Sequence, residues 1–209
     1  MTPAGIEVDQ LFGSALPATD AEQVRLLDAA RAEFIEHGFR RTSVGDIARR
    51  AKVSRPTLYR RLGDKDEIVR QVVVREVVAF FVSISDRVLT KPTPAEKAIE
   101  TFVVGIRESR RHPLVVALRQ FEPETLTSFL ADNVAAMEPV RAAVAVSIVA
   151  DTLPLDAALR AAEMFIRVTA SLLMVPSDAL PVETDEQARW FARTYFPPII
   201  EASTRPGPE

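Results

Sequence analysis

Nine basic side chains and only two acidic ones lie between positions 40 and 65 of this 209-residue chain. This basic segment has a formal charge of +7 (nine minus two), whereas the whole chain has −3. Lys and Arg side chains that neutralise phosphates supply most of the sequence-independent affinity of proteins for nucleic acid. The pattern indicates a DNA-binding surface, although the solvated face of an ordinary helical hairpin would have the same composition. The basic residues are Arg40, Arg41, Arg49, Arg50, Lys52, Arg55, Arg60, Arg61 and Lys65, and the acidic ones are Asp46 and Asp64.

Capping residues within the basic segment predict two short helices joined by a tight turn. Ser43 with Asp46 three residues later is a capping pair, and apolar residues that share one helical face follow it. Ser54 is a second N-cap, and Pro56 stands in the first turn of its helix, where a missing N–H is tolerated. Two such helices form a helix-turn-helix, whose second helix enters the major groove of DNA.

The rest of the chain also has helical patterns separated by clear breaks. Thr19 with Glu22 predicts the start of a first helix that ends at Gly38. Asp64 with Glu67 predicts the start of a long helix that reaches about Val88. Further helices are predicted over about 93–110, 113–120, 123–131, 133–152, 156–174 and 185–203. The sequence therefore predicts an all-α protein of about nine to ten helices.

Composition and breaks divide the chain into four parts and limit its class. We expect a flexible tail over 1–18, a helix-turn-helix domain over 19–65, a helical bundle over 66–203 and a flexible end over 204–209. Hydrophobic residues make up 47% of the chain, which is typical of a globular protein. Apolar runs are too short to span a bilayer, and no secretory signal is recognised. The absence of Cys excludes disulfides and fits the cytoplasm.

Residues 24–68 resemble the N-terminal domain of the TetR family of bacterial transcriptional regulators. This resemblance implies a dimeric repressor whose N-terminal domains bind adjacent major grooves of a near-palindromic operator. It also implies a larger C-terminal domain that holds a small-molecule inducer. The residues that carry it are Ala29, Ala30, Phe34, His37–Phe39, Thr42, Ser43, Asp46–Ala48, Ala51, Val53, Ser54, Pro56–Tyr59, Lys65 and Glu67.

The resemblance also assigns roles to residues of the basic segment. Positions that contact phosphates in the family are matched by Thr42, Ser43, Tyr59 and Lys65, and recognition-helix positions that face bases are matched by Arg55, Thr57 and Arg60. Lys52 stands where the family usually has Gly, so we expect a strained turn, or one with different angles, and an added charge near the DNA backbone. Thr42 and Ser43 have an alternative role as caps, Tyr59 as a core residue and Lys65 as a solvated side chain.

Outside residues 21–70 the chain has fourteen basic and twenty-one acidic residues, a balance of −7 that disfavours a second DNA surface. Large apolar side chains there can line an effector cavity or simply fill a core. The predicted effector-binding residues are Phe80, Phe102, Ile106, Phe121, Phe129, Met137, Phe165 and Thr169. Apolar stripes on the last two helices predict a homodimer interface. Its predicted residues are Met164, Leu172, Trp190, Phe191 and Tyr195.

An enzyme is disfavoured because the sequence has only two His residues, no Cys and no Glu-x-x-His or paired-carboxylate arrangement. We therefore expect no catalytic residue, cofactor or metal. The leading hypothesis is a repressor that a small apolar or amphipathic effector releases from double-stranded DNA. An activator and a constitutive DNA-binding protein without effector remain the alternatives.

Overall fold

The computed structural model describes residues 20–121 and 134–205, and helices dominate both stretches. The all-α prediction is confirmed, and nine helices fall within the described residues. In chain order they are α1 (Ala21–His37), α2 (Val44–Arg50), α3 (Arg55–Leu62), α4 (Lys65–Leu89), α5 (Pro94–Ser109), α6 (Pro113–Phe121), α7 (Val134–Ile148), α8 (Leu155–Met174) and α9 (Asp185–Ser203). The tail predicted over 1–18, the helix predicted over 123–131 and the last four residues lie outside the described residues.

The described chain divides into two compact units, and neither is a single stretch of sequence. The N-terminal unit contains residues 20–78, 110–121 and 134–137, and the C-terminal unit contains residues 79–109 and 138–205. Helix α6, which the sequence analysis assigned to the C-terminal bundle, belongs to the N-terminal unit because it packs against α1. Its buried Leu114 and Ala117 lie one turn apart and form the apolar stripe for this contact.

Helices α1, α2 and α3 enclose the core of the N-terminal unit together with the first part of α4. Asp20, one residue after the predicted cap Thr19, accepts a hydrogen bond from the backbone N–H of Glu22 at 3.0 Å. Gly38 has φ 83° and ends α1, as predicted. The largest fully buried side chains of this core are Leu26, Leu27, Phe34, Ile47, Leu58, Leu62, Ile68 and Val72.

The predicted helix-turn-helix is confirmed in its local details. Ser43 and Asp46 form the reciprocal capping box of α2, and the side chain of Ser54 accepts a hydrogen bond from the Thr57 N–H at the start of α3. These caps satisfy backbone donors that the first turn of a helix leaves unpaired. The two helices are therefore fixed at both starts by side chains close to them in sequence.

In the C-terminal unit, α5 is buried on several sides and packs against α9 and α8. The ring of Phe102 lies 5.4 Å from the ring of Phe191 and 5.0 Å from that of Phe196. Phe165 of α8 stacks on Phe196 at 4.0 Å. These four rings form a closed aromatic cluster in the core of this unit.

Candidate nucleic-acid interface

An open hollow lies beside the first turns of α2 and α3 and brings together five of the eight predicted DNA-contact residues. They are Thr42, Ser43, Arg55, Tyr59 and Lys65, and Arg40, Arg41, Val44 and Gly45 complete its lining. Several cationic side chains in one concave surface suit the phosphates of a nucleic-acid backbone. The other three predicted residues, Lys52, Thr57 and Arg60, lie outside this lining.

Two predicted contact residues present polar tips near the hollow. The side chain of Tyr59 is 51% exposed although it follows the fully buried Leu58. Lys65, at the start of α4, donates from Nζ to the backbone carbonyl oxygen of Arg40 at 3.0 Å. That bond keeps the ammonium group beside the loop that precedes α2, where it retains further donors for another acceptor.

The side chain of Thr42 has a structural role in this conformation. Thr42 is only 1% exposed, and its hydroxyl donates to the carbonyl oxygen of Gly38 at 2.7 Å. The carbonyl oxygen of Glu33 lies 3.2 Å away as a second acceptor. This hydroxyl therefore closes the loop between α1 and α2. Ser43, in contrast, is exposed.

Three basic side chains of the segment are engaged by carboxylates. Arg50 donates to Glu33 at 2.6 Å and also contacts Glu36. Arg61 lies 2.5 Å from Glu22 and 3.3 Å from Asp20. These pairs hold α2 and α3 against α1 and reduce the positive charge that is available to DNA.

Asp46 pairs with the third of these side chains, that of Arg49. Hydrogen bonds from the Ser43 hydroxyl and backbone N–H, and then from Arg49, hold the pKa of Asp46 well below its usual range. The carboxylate is therefore ionised at neutral pH, and the cap of α2 keeps its negative acceptor. Arg49 consequently acts with the cap rather than as an isolated cation.

Helix α3 also contains two predicted DNA-contact residues that lie outside the lining of the hollow, Thr57 and Arg60. The hydroxyl of Thr57 lies 2.8 Å from that of the cap residue Ser54, so it takes part in the start of the helix. Arg60 is exposed, and its position on the helix is opposite the side that buries Leu58 and Leu62. Arg60 is thus the long basic side chain on the outermost side of α3.

Lys52 adopts a left-handed backbone conformation, which is the strained one of the two alternatives expected for this turn. Its φ is 56°, and among the described residues it is the one non-glycine residue with a positive φ. Two backbone hydrogen bonds close the turn. The N–H of Lys52 donates to the carbonyl oxygen of Arg49 at 3.1 Å, and the N–H of Val53 donates to the carbonyl oxygen of Ala48 at 3.0 Å. The strained alternative for this turn is confirmed, and the charge of Lys52 is exposed.

Lys52→Gly is expected to raise the free energy of unfolding by about 1 kcal/mol, because Gly has no Cβ to clash at positive φ. The same change removes one cation. If that cation contacts a phosphate, the slope of the logarithm of DNA affinity against the logarithm of salt concentration should fall by about one unit for each protomer. Urea unfolding and salt titrations of binding measure the two effects. Lys52→Gln is the matched control, since Gln removes the charge but keeps a Cβ and has no special tolerance of positive φ. Lower stability of Lys52→Gly would contradict the assignment of strain.

The structure separates the predicted effector-binding residues. Phe102, Ile106 and Phe165 are at most 5% exposed and belong to the core of the C-terminal unit. Phe80 is partly buried in the same unit, beside Ile84 and Val88, and Thr169 is partly buried on α8. Phe121 instead lies in the N-terminal unit, in a cleft beside Glu33, Arg50 and other charged residues. Phe129 and the side chain of Met137 lie outside the described residues.

The predicted dimer residues also divide into two groups. Met164, Trp190 and Tyr195 are 47%, 49% and 40% exposed. Leu172 and Phe191 are buried within their own unit, and Phe191 belongs to the aromatic cluster. Only the first group is available to a partner subunit, because a residue already packed in its own core presents little surface.

Gly45 and Thr101 are residues of interest that sequence reasoning missed. Gly45 lines the hollow, and an isolated Gly within a helical pattern is a sequence signal for a packing or functional requirement. Thr101 of α5 has a buried hydroxyl without a hydrogen-bond partner among the described residues. No sequence pattern distinguishes this hydroxyl from those of other helical Thr residues.

Comparisons with known proteins agree with the all-α fold. Residues 26–72 match the model for bacterial regulatory proteins of the tetR family. The HTH-type transcriptional repressor KstR2 of Mycobacterium tuberculosis is 30% identical over 103 residues, which are 49% of this chain and 52% of KstR2. An uncharacterized HTH-type transcriptional regulator of the same species is 28% identical over 199 residues, which are 91% of this chain and 95% of that regulator.

A further uncharacterized HTH-type transcriptional regulator, from Mycobacterium bovis, is 40% identical over 55 residues. That match spans 29% of the relative, and the KstR2 match spans about half of KstR2. The solved structure of the TetR family repressor AlkX from Dietzia sp. strain DQ12-45-1b has a TM-score of 0.64 at 19% identity, covering 86% of this chain and 95% of AlkX. RolR without ligand has a TM-score of 0.56 at 17% identity, covering 89% and 98%. These likenesses show the same fold.

In the described residues, no helix is both long enough and apolar enough to cross a membrane.

Proposed function

Because residues 26–72 match the model for bacterial regulatory proteins of the tetR family, we propose that this chain is a ligand-responsive repressor of that family that binds a near-palindromic operator as a homodimer. It acts on DNA in the cytoplasm and is not an enzyme. The observation that carries this proposal is the convergence of Ser43, Arg55, Tyr59 and Lys65 on one hollow beside the recognition helix. Phosphate-binding groups in this place orient α3 towards the major groove.

The core of the N-terminal unit supports α3 in the role of a recognition helix. Leu58 and Leu62 lie on one side of α3 and are 0% and 1% exposed. The side opposite these anchors, with Arg60, stays free of the unit's own core. A short helix that is buried on one side and basic on the other suits insertion into a groove about 12 Å wide.

Dimerisation is required because one recognition helix reads only half of a palindromic site. Two such helices must lie about 34–36 Å apart to occupy successive major grooves. The exposed Met164 on α8 and the exposed Trp190 and Tyr195 on α9 support a self-complementary interface in which these two helices pair with their symmetry mates. The rings of Trp190 and Tyr195 are 6.4 Å apart at 88°, so these two exposed aromatic side chains lie next to each other on α9.

The unpaired hydroxyl of Thr101 supports a site for a small amphipathic effector in the C-terminal unit. Thr101 stands one turn before Gly105, where an added Cβ would lie 3.8 Å from the ring of Phe80 on α4. Thr101 therefore lies on the side of α5 that faces α4. A buried polar atom without a partner is destabilising, and a ligand that hydrogen-bonds to it removes that penalty.

Helix α4 is the proposed element through which the effector acts. It is continuous from Lys65 to Leu89 and contains residues of both units. In the N-terminal unit, its Glu76 accepts a hydrogen bond from Arg31 of α1 at 3.0 Å and lies 3.0 Å from His112. Burial raises the pKa of Glu76, but hydrogen bonds from His112 and Arg31 outweigh burial and lower it, so Glu76 is ionised. A displacement of α4 therefore acts directly on α1.

Binding to DNA from the chain's own promoter region tests the repressor proposal. Fluorescence anisotropy at low salt is expected to detect tight binding of a dimer to one site. The double variant Tyr59→Ala/Lys65→Ala should bind much more weakly, whereas Arg167→Ala, which removes an exposed cation of α8, should bind normally. Failure of the native protein to bind any segment of that region would contradict repression there.

Native mass spectrometry of the protein purified from its host tests the effector proposal. A co-purified small molecule is expected, and the same compound should release the promoter DNA because it binds the released state better. A protein that binds DNA but carries no such molecule, and that no compound from host extracts releases, would favour the constitutive alternative.

A further inference from the structure

The guanidinium group of Arg55 lies directly on the backbone of α2 at Gly45. A Cβ built on Gly45 would be 2.5 Å from Nη2 of Arg55 and 2.8 Å from both Cζ and Nε. Any residue other than Gly at position 45 would therefore occupy the space that the guanidinium now fills. The orientation of the Arg55 side chain therefore depends on the absence of a Cβ at Gly45.

This orientation directs Arg55 into the hollow and away from the outer side of α3. Arg55 and Tyr59 are four residues apart, so they share the side of α3 that faces the start of α2. Ser43 and Lys65 line the same hollow. Arg60 lies on the opposite side from the buried anchors of α3 and is the residue that extends outward. The resemblance-based assignment of Arg55 to the bases does not fit this arrangement.

We propose that Arg55 binds a DNA phosphate, that Gly45 positions it for this contact, and that the basic side chain reading the bases is that of Arg60. The proposal rests on the proposed function as an operator-binding protein. A guanidinium presents a planar fork of donors that matches two phosphate oxygens. Held against α2 at Gly45, in the hollow that Ser43, Tyr59 and Lys65 also line, it adds this fork to a surface of phosphate-binding groups. Position 45 then sets the affinity for DNA without contacting it.

Two duplexes of equal length and base composition separate a phosphate contact from a base contact. One contains the operator and the other a scrambled sequence, and both are titrated over a range of salt concentrations. Arg55→Ala is expected to weaken binding to both duplexes by the same factor, about tenfold or more, and to reduce the salt slope by about one unit for each protomer. Arg60→Ala should weaken binding to the operator more than to the scrambled duplex.

Gly45→Ala tests the positioning step. Ala is a better helix former than Gly, and the atoms it would meet are the end of a flexible side chain, so the variant should fold with at least native thermal stability. We expect Gly45→Ala to weaken binding to both duplexes by less than Arg55→Ala does. In the Arg55→Ala background, the same change should have no further effect, because the side chain it displaces is gone. Arg167→Ala is the control for loss of one positive charge.

Four outcomes would contradict the proposal or the function on which it rests. Loss of operator binding alone in Arg55→Ala would make Arg55 a base reader. Native binding by Gly45→Ala, or an effect that adds fully to that of Arg55→Ala, would remove the role of Gly45. If the native protein binds neither duplex, the proposed function itself fails. A different result, in which the native protein and its variants bind DNA equally well, would contradict only the roles of Arg55 and Gly45.

Discussion

Leu58→Ala is expected to lower the free energy of unfolding of the N-terminal unit by about 2–5 kcal/mol, the range for a buried Leu replaced by Ala. Leu58 is 0% exposed in the middle of α3 and belongs to the same core as Phe34 and Ile47. Removing its side chain leaves a cavity under the recognition helix, since the neighbouring helices are fixed by their caps. Operator binding should fall with stability, although Leu58 itself does not contact DNA.

Arg60→Ala on the same helix is the matched comparison for Leu58→Ala. Arg60 is exposed, so its replacement should change stability by less than about 0.5 kcal/mol while reducing operator binding. Urea unfolding followed by circular dichroism, together with anisotropy of a labelled operator, measures both quantities. Native stability of Leu58→Ala would contradict the assignment of α3 to the core of its unit.

The second large effect is expected when Glu100 loses both of its cationic partners. Glu100 of α5 is 3% exposed, and its carboxylate lies 2.5 Å from Arg87 and 3.3 Å from Arg189. The double variant Arg87→Met/Arg189→Met leaves an uncompensated charge in the C-terminal unit and should lower the free energy of unfolding by about 3–5 kcal/mol. The loss should be smaller in either single variant, because the remaining Arg still neutralises the carboxylate.

Glu100→Gln in the double-variant background identifies the cause of this loss. It removes the buried charge with little change of volume, so part of the lost stability should return. Arg141→Met, which removes a partner of the less buried Glu163 at 3.4 Å, is the control for an ordinary surface pair and should change stability by less than about 1 kcal/mol. Equal losses in the control and the double variant would show that burial of Glu100 does not matter.

Features that depend on neighbouring residues could be predicted from the sequence. The capping box of Ser43 and Asp46, the cap at Ser54 and the end of α1 at Gly38 are all present in the structure. Each is decided within about four residues, where backbone sterics and a single side-chain hydrogen bond dominate. The helix-turn-helix and the all-α class follow from such signals and from apolar periodicity.

Side-chain partners distant in sequence could not be predicted in this way. The sequence analysis grouped Phe121 with Phe102, but α6 packs against α1 and takes Phe121 into the other unit. It also assigned Phe191 to a dimer surface, whereas Phe191 is buried beside Phe102. Helices that are apolar on more than one side give no periodic signal for which side meets which neighbour.

The sequence alone thus determined where this chain forms helices and turns, and which segment concentrates positive charge. The tertiary structure alone decided which side chains of those helices remain available, as with the buried hydroxyl of Thr42 and the guanidinium of Arg55 laid across Gly45. The physical reason is range: a cap or a turn is stabilised within a few residues of one chain segment, whereas exposure and orientation depend on the atoms that other segments place nearby.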